Sequence, residues 1–90
     1  MSIILMTLIA CGPTFDQGWD DGCTDAVDLG YQFGYEDAEG CYLADPTPPP
    51  GNSGSTKYDS GYDGGFDYCY PDAYNEGYSE AVEYLGTCSR

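Results

Sequence analysis

The chain has no histidine, only two basic residues (Lys57 and Arg90), and little apolar bulk beyond its first ten positions. Without histidine, and with no Cys-x-x-Cys spacing among its five cysteines, it offers neither a zinc site nor a thioredoxin-like redox motif. No serine sits in a nucleophile motif, and the many paired carboxylates single out no acid–base pair, so no enzyme is expected. Sixteen acids against two bases leave a net charge of −14, which repels nucleic-acid phosphates and anionic lipid head groups. No run is long enough to cross a bilayer, which needs about 20 apolar residues. The compact apolar stretch Met1–Ala10 is the only candidate and is too short.

What is present is a four-residue grammar, written twice. Gly18, Gly22, Ala26, Gly30, Gly34 and Ala38 form one row of small residues; Gly61, Gly65, Cys69, Ala73, Gly77 and Ala81 form a second. The position after each is usually aromatic or apolar: Trp19, Val27, Tyr31 and Tyr35 in the first copy, Tyr62, Phe66, Tyr70, Tyr74, Tyr78 and Val82 in the second. The copies align without a gap at a shift of 43 residues. A period of four lies close to the helical 3.6, so each row makes a slowly drifting stripe on a helix. Glycine inside a helix costs about 1 kcal/mol relative to alanine. Rows that keep it point to close backbone approach, with neighbouring aromatics lapping over the bare surface.

Thr14 stands three residues before Gln17, a capping-box spacing, and the pattern then runs free of proline to Glu39, with Gly40 placed as a left-handed terminator. Repeat helix 1 is therefore expected within 15–41. Residues 42–57 form a Pro/Gly/Ser linker, and residues 58–90 carry the second repeat, with a firm helix at 71–85 because Pro71 suits a first helical position. Segment 58–68 reads as short helix or Gly-rich coil, and Gly86 as the terminator. An all-β reading also fits a period of four, but Asp25–Leu29 and Ser79–Leu85 read as helix, and Pro71 would interrupt a strand ladder.

The sequence Leu8-Ile9-Ala10-Cys11, beside the apolar opening, resembles the lipobox of bacterial lipoproteins. The resemblance implies a signal peptide at 1–10, removal of that segment, acylation (palmitate) of Cys11, and a tether over 11–14. Gly12 rather than Asp after the cysteine implies sorting to the outer membrane, with the lipid as the only membrane contact. The cysteine count agrees: with Cys11 lipidated, Cys23, Cys41, Cys69 and Cys88 are left to pair in an oxidising envelope.

A helix over 24–40 would hold Cys23 and Cys41 about 27 Å apart, far beyond disulfide reach. Two connectivities remain. An antiparallel hairpin joins Cys23 to Cys88 and Cys41 to Cys69, with its turn near residue 55; a parallel pair joins Cys23 to Cys69 and Cys41 to Cys88, but needs a long return connection. The expectation is an all-α, disulfide-stapled antiparallel helical hairpin. The repeated Gly-aromatic-x-x units also resemble the deca-Gly-x-x-x motif of the Yae/Lto-type adaptor proteins, which implies a helical hairpin and a protein partner.

Functionally, ten tyrosines in so small a chain predict a Tyr-rich surface for contact with another protein or with a second copy, with Tyr58, Tyr62, Tyr70 and Tyr84 as candidate contacts. The alternative is a divalent-cation module binding calcium weakly through Asp59, Asp63 and Asp67, although the spacing from Asp59 fails the EF-hand pattern. No other cofactor is implied.

Overall fold

The computed structural model describes residues 14–51, 54 and 56–86. The expected signal peptide, Cys11 and Cys88 lie outside the described residues. Two helices make up the architecture: α1 (Phe15–Glu39) and α2 (Lys57–Leu85), with no strand among the described residues. Neither is long and apolar enough to cross a membrane.

Both helices begin on a reciprocal cap. Thr14 accepts from the Gln17 amide while the Gln17 side chain accepts from the Thr14 amide, as the spacing predicts. Thr56 and Asp59 do the same for α2. That cap, absent from the sequence reading, starts α2 at Lys57 and makes it continuous through Pro71 instead of beginning there. An interior proline costs about 3 kcal/mol. The helix survives it because both flanks are anchored: Cys69 in a disulfide, Tyr70, Ala73 and Tyr74 by burial.

At the end of α1 the left-handed residue is Cys41 (φ 62°), not Gly40, which is right-handed. The Cys41 amide donates to the Ala38 carbonyl and the Tyr42 amide to the Asp37 carbonyl, the two bonds of a Schellman closure. Cys41 is itself disulfide-bonded. Gly86 ends α2 with φ 84°, as expected.

The helices pack along their whole shared length, and they run parallel. Gly18 lies against the backbone of Tyr58 and Tyr62, Gly22 against Tyr62, Gly30 against Tyr70 and Tyr74, and Gly34 against Tyr74 and Tyr78. Partner numbers rise together, whereas an antiparallel pair would make them run in opposition. The disulfide agrees: Cys23 is joined to Cys69, with Cα atoms 5.2 Å apart. The two-helix, disulfide-stapled, all-α expectation holds, but its antiparallel direction and the pairings Cys23–Cys88 and Cys41–Cys69 are corrected.

The physical reason lies in the duplication. A parallel pair sets two copies of one repeat side by side about a pseudo-two-fold axis along the pair, so the close glycine–backbone contacts recur with the copies exchanged. Gly34 meets the Tyr74 carbonyl and Gly77 meets the Tyr31 carbonyl; Gly22 with Tyr62 is matched by Gly65 with Trp19, and Gly18 with Tyr58 by Gly61 with Phe15. Both small rows thereby face the partner's backbone in register, with all six small residues of α1 buried. A stripe that steps by four overshoots a 3.6-residue turn by about 40° each time. Keeping it at the contact requires the helices to wind around each other right-handedly.

Parallel helices demand a return of about 37 Å, the length of α1 at 1.5 Å per residue. The Pro-rich stretch between Cys41 and Thr56 reaches roughly 46 Å at the 3.1 Å rise of polyproline II. It runs back along α2: the Tyr78 hydroxyl donates to the Tyr42 carbonyl (2.6 Å), the Asp45 amide donates to the Tyr74 hydroxyl (3.1 Å), and Gly51 lies against the Asp63 carboxylate. The linker is a return strap, not a tight turn.

Candidate functional site

Three adjacent rows organise each helix face. The small row lies at the contact, an aromatic row follows it by one residue, and an acid-bearing row precedes it by one. Each aromatic row lies over the partner's small row and reaches the partner's acids, which produces two grooves of different character.

In the first groove, Tyr58, Tyr62, Phe66, Tyr70, Tyr74 and Tyr78 of α2 form a continuous ladder, with successive ring centroids 5.6 to 6.4 Å apart. Ring pairs at such separations contribute about 0.5–1.5 kcal/mol each beyond their burial. The hydroxyls donate across to α1: Tyr58 to Asp21 (2.6 Å), Tyr62 to Asp25 and Tyr74 to Asp37, always at a separation of 37 residues. With Ala26, the buried rings of Tyr70 and Tyr74 make the centre of a thin core.

These bonds raise the phenol pKa values. Tyr62 is pushed up to about 12 by its hydrogen bond to Asp25 and then by desolvation; Tyr74 reaches about 12 through burial and then its bond to Asp37. Tyr31 reaches about 12 through its bond to Glu80, the duplicated counterpart of Tyr74 with Asp37. Tyr58 is raised by Asp21, and Tyr70 by burial. A raised pKa means the fold favours the protonated phenol. The associated stability is therefore complete below pH about 10 and is lost as pH climbs through about 12. Absorbance at 295 nm should show a late-titrating class of tyrosines that ionises together with loss of helical circular dichroism. All ten tyrosines titrating together near 10, with the helix intact, would contradict the ladder.

The expected contact residues divide accordingly. Tyr70 is buried (3 % exposed), and Tyr58 and Tyr62 are half-buried with their hydroxyls engaged, so all three are part of the internal ladder. Tyr84 is 83 % exposed. The sequence reading missed Tyr68, 73 % exposed. Its position was the available signal: Tyr68 and Tyr84 both stand on the acid-bearing row Tyr68-Asp72-Glu76-Glu80-Tyr84, away from the aromatic row.

The calcium candidates do not converge. The Asp59 carboxylate accepts from the Thr56 amide as a cap, the Asp63 carboxylate lies against Gly51, and Asp67 points to solvent. Four-residue steps set them about 6 Å apart along the helix. Among the described residues, no group of three or more acids or cysteines is placed to hold a metal ion.

The second groove is interrupted. Its α1 row reads Phe15, Trp19, Cys23, Val27, Tyr31, Tyr35, so Cys23 and Val27 stand where the duplicate has Phe66 and Tyr70. Trp19 packs at a tilt against Phe15 and Tyr68 (centroids 6.1 and 5.6 Å), and Tyr31 against Tyr35 (6.2 Å), but no ring fills the middle, where the Cys23–Cys69 bridge crosses between the helices. An open groove of about 270 Å³ remains there, lined by Val27, Tyr68, Cys69, Asp72, Ala73 and Glu76.

Compared with known proteins, the chain matches no family, no curated protein and no solved structure.

Proposed function

We propose that the chain is a small, acidic, non-catalytic envelope lipoprotein, anchored in the outer membrane by an acylated Cys11, whose parallel helix pair presents exposed tyrosines to another protein. The observation that carries the contact function is the exposure of Tyr68 and Tyr84, 73 % and 83 %, on the row opposite the internal ladder. Large rigid side chains left in water beside an open groove suit an interface. The anchor rests on the lipobox resemblance at Leu8-Ile9-Ala10-Cys11 and on the odd cysteine count. The absence of histidine supports a non-catalytic role.

Two measurements test the parts separately. Mass spectrometry of membrane-extracted protein should find Cys11 as an acylated first residue in the outer-membrane fraction; an unacylated chain starting at Met1, or retention in the inner membrane, contradicts the anchor. In vivo crosslinking should yield a complex that Tyr68→Ala with Tyr84→Ala abolishes while helical content is unchanged. A complex that survives this variant removes the contact role of those tyrosines.

A further inference from the structure

The pseudo-two-fold axis provides an internal reference for what the second groove lacks. In the first groove, the 37-residue offset of the Tyr–Asp bonds sets Phe66 opposite Leu29 and Tyr70 opposite Phe33. Both aromatic rings lie over the small row there, and Tyr70 is buried. Carried through the duplication, the corresponding positions in the second groove are Cys23 opposite Asp72 and Val27 opposite Glu76. One ring gives way to the Cys23–Cys69 bridge and the other to the short Val27 side chain, and two apolar partners are replaced by carboxylates. Val27 is left 48 % exposed, and the space holds about 270 Å³.

We infer that this groove receives an arginine side chain from a basic segment of a partner protein. This rests on the protein-contact function proposed above and names the chemistry of its partner. The guanidinium is the one side-chain group that combines a flat face with a positive charge and a bidentate fork for carboxylates. Val27, Ala73 and the disulfide at Cys69 line the groove for the aliphatic stem. Asp72 and Glu76 supply the acceptors, and Tyr68 at the groove's end offers its ring to the cation. A second copy of this chain fits poorly, since it carries the same charge of −14 and only two cations.

The test titrates the oxidised, isotope-labelled protein with hexa-arginine and hexa-lysine peptides and with an uncharged Phe-containing hexapeptide, followed by amide shifts. Hexa-arginine should perturb Val27, Tyr68, Cys69, Asp72, Ala73 and Glu76 first and bind several-fold more tightly than hexa-lysine. D72N/E76Q should weaken it at least ten-fold, while D20N/E39Q, which removes the same charge elsewhere, should weaken it less than three-fold. Tyr68→Ala, which removes no charge, should erase the preference for arginine over lysine. Shifts spread over the whole acidic surface, with both double variants equally weakened, would reduce the effect to unspecific charge attraction and overturn the assignment. Seating of the uncharged peptide in the groove with no preference for arginine would also overturn it, while leaving the protein-contact function standing.

Discussion

Gly34→Ala is expected to destabilise the protein by about 2 kcal/mol or more, although alanine is the better helix former. A Cβ built on Gly34 would fall well within 3.0 Å of the Tyr74 backbone carbonyl, and the same collision awaits Gly77 against Tyr31 and Gly22 against Tyr62. Alanine's intrinsic advantage is about 1 kcal/mol. Forcing an extra methyl into a filled contact costs about 1–3 kcal/mol, sometimes more. Here the obstacle is backbone on both sides, which cannot rotate away, so the upper end of that range applies. The substitution would also displace the glycine hydrogen that points at the carbonyl oxygen, a Cα–H···O contact of about 0.5–1 kcal/mol. Gly64→Ala provides the contrast, because its Cβ would meet only the Trp19 ring at 3.0 Å. The two effects nearly cancel at that site, leaving stability within about 1 kcal/mol of the parent. Urea unfolding followed by circular dichroism checks both. Stabilisation by Gly34→Ala would show that the helices do not touch there.

Removal of the Cys23–Cys69 crosslink should have an effect of similar or greater size. The bridge spans 46 residues, and the loop-entropy relation assigns such a closure about 4 kcal/mol. For a chain this small, whose only large buried side chains among the described residues are Tyr70 and Tyr74, that is a major share of a stability that totals about 5–15 kcal/mol in ordinary domains. C23S/C69S should therefore melt far below the oxidised parent, and dithiothreitol should lower the parent's melting point in the same direction. A melting point unchanged by either treatment would mean that packing alone holds the pair.

Much of this architecture was legible in the sequence. The Thr14–Gln17 box, the extent of α1, the stop at Gly86 and the burial of the small rows, Cys69 excepted, follow from spacing and propensity. Direction did not, because the cysteine numbering was compatible with both arrangements and the turn-rich centre near residue 55 suggested a hairpin. The duplication held the answer: two matching rows of small residues meet in register when the helices run parallel, and a prolyl segment has the reach for the return. The position of each tyrosine relative to the helix contact is hidden for a related reason. Period alone places Tyr62 and Tyr70 on a helix surface, but whether that surface is internal depends on which row faces the partner. With the rows assigned, Tyr68 and Tyr84 separate from the ladder at once, and the Cys23–Val27 break becomes visible as the place where one copy lacks the rings of the other.

Disulfide mapping tests the parallel pairing most directly. Peptic digestion of the non-reduced protein, followed by tandem mass spectrometry, should return a peptide pair linking Cys23 to Cys69, the register in which Gly18 meets Tyr58 and Gly34 meets Tyr74. A pair linking Cys23 to Cys88 or Cys41 to Cys69 would set the helices head to tail and contradict the account.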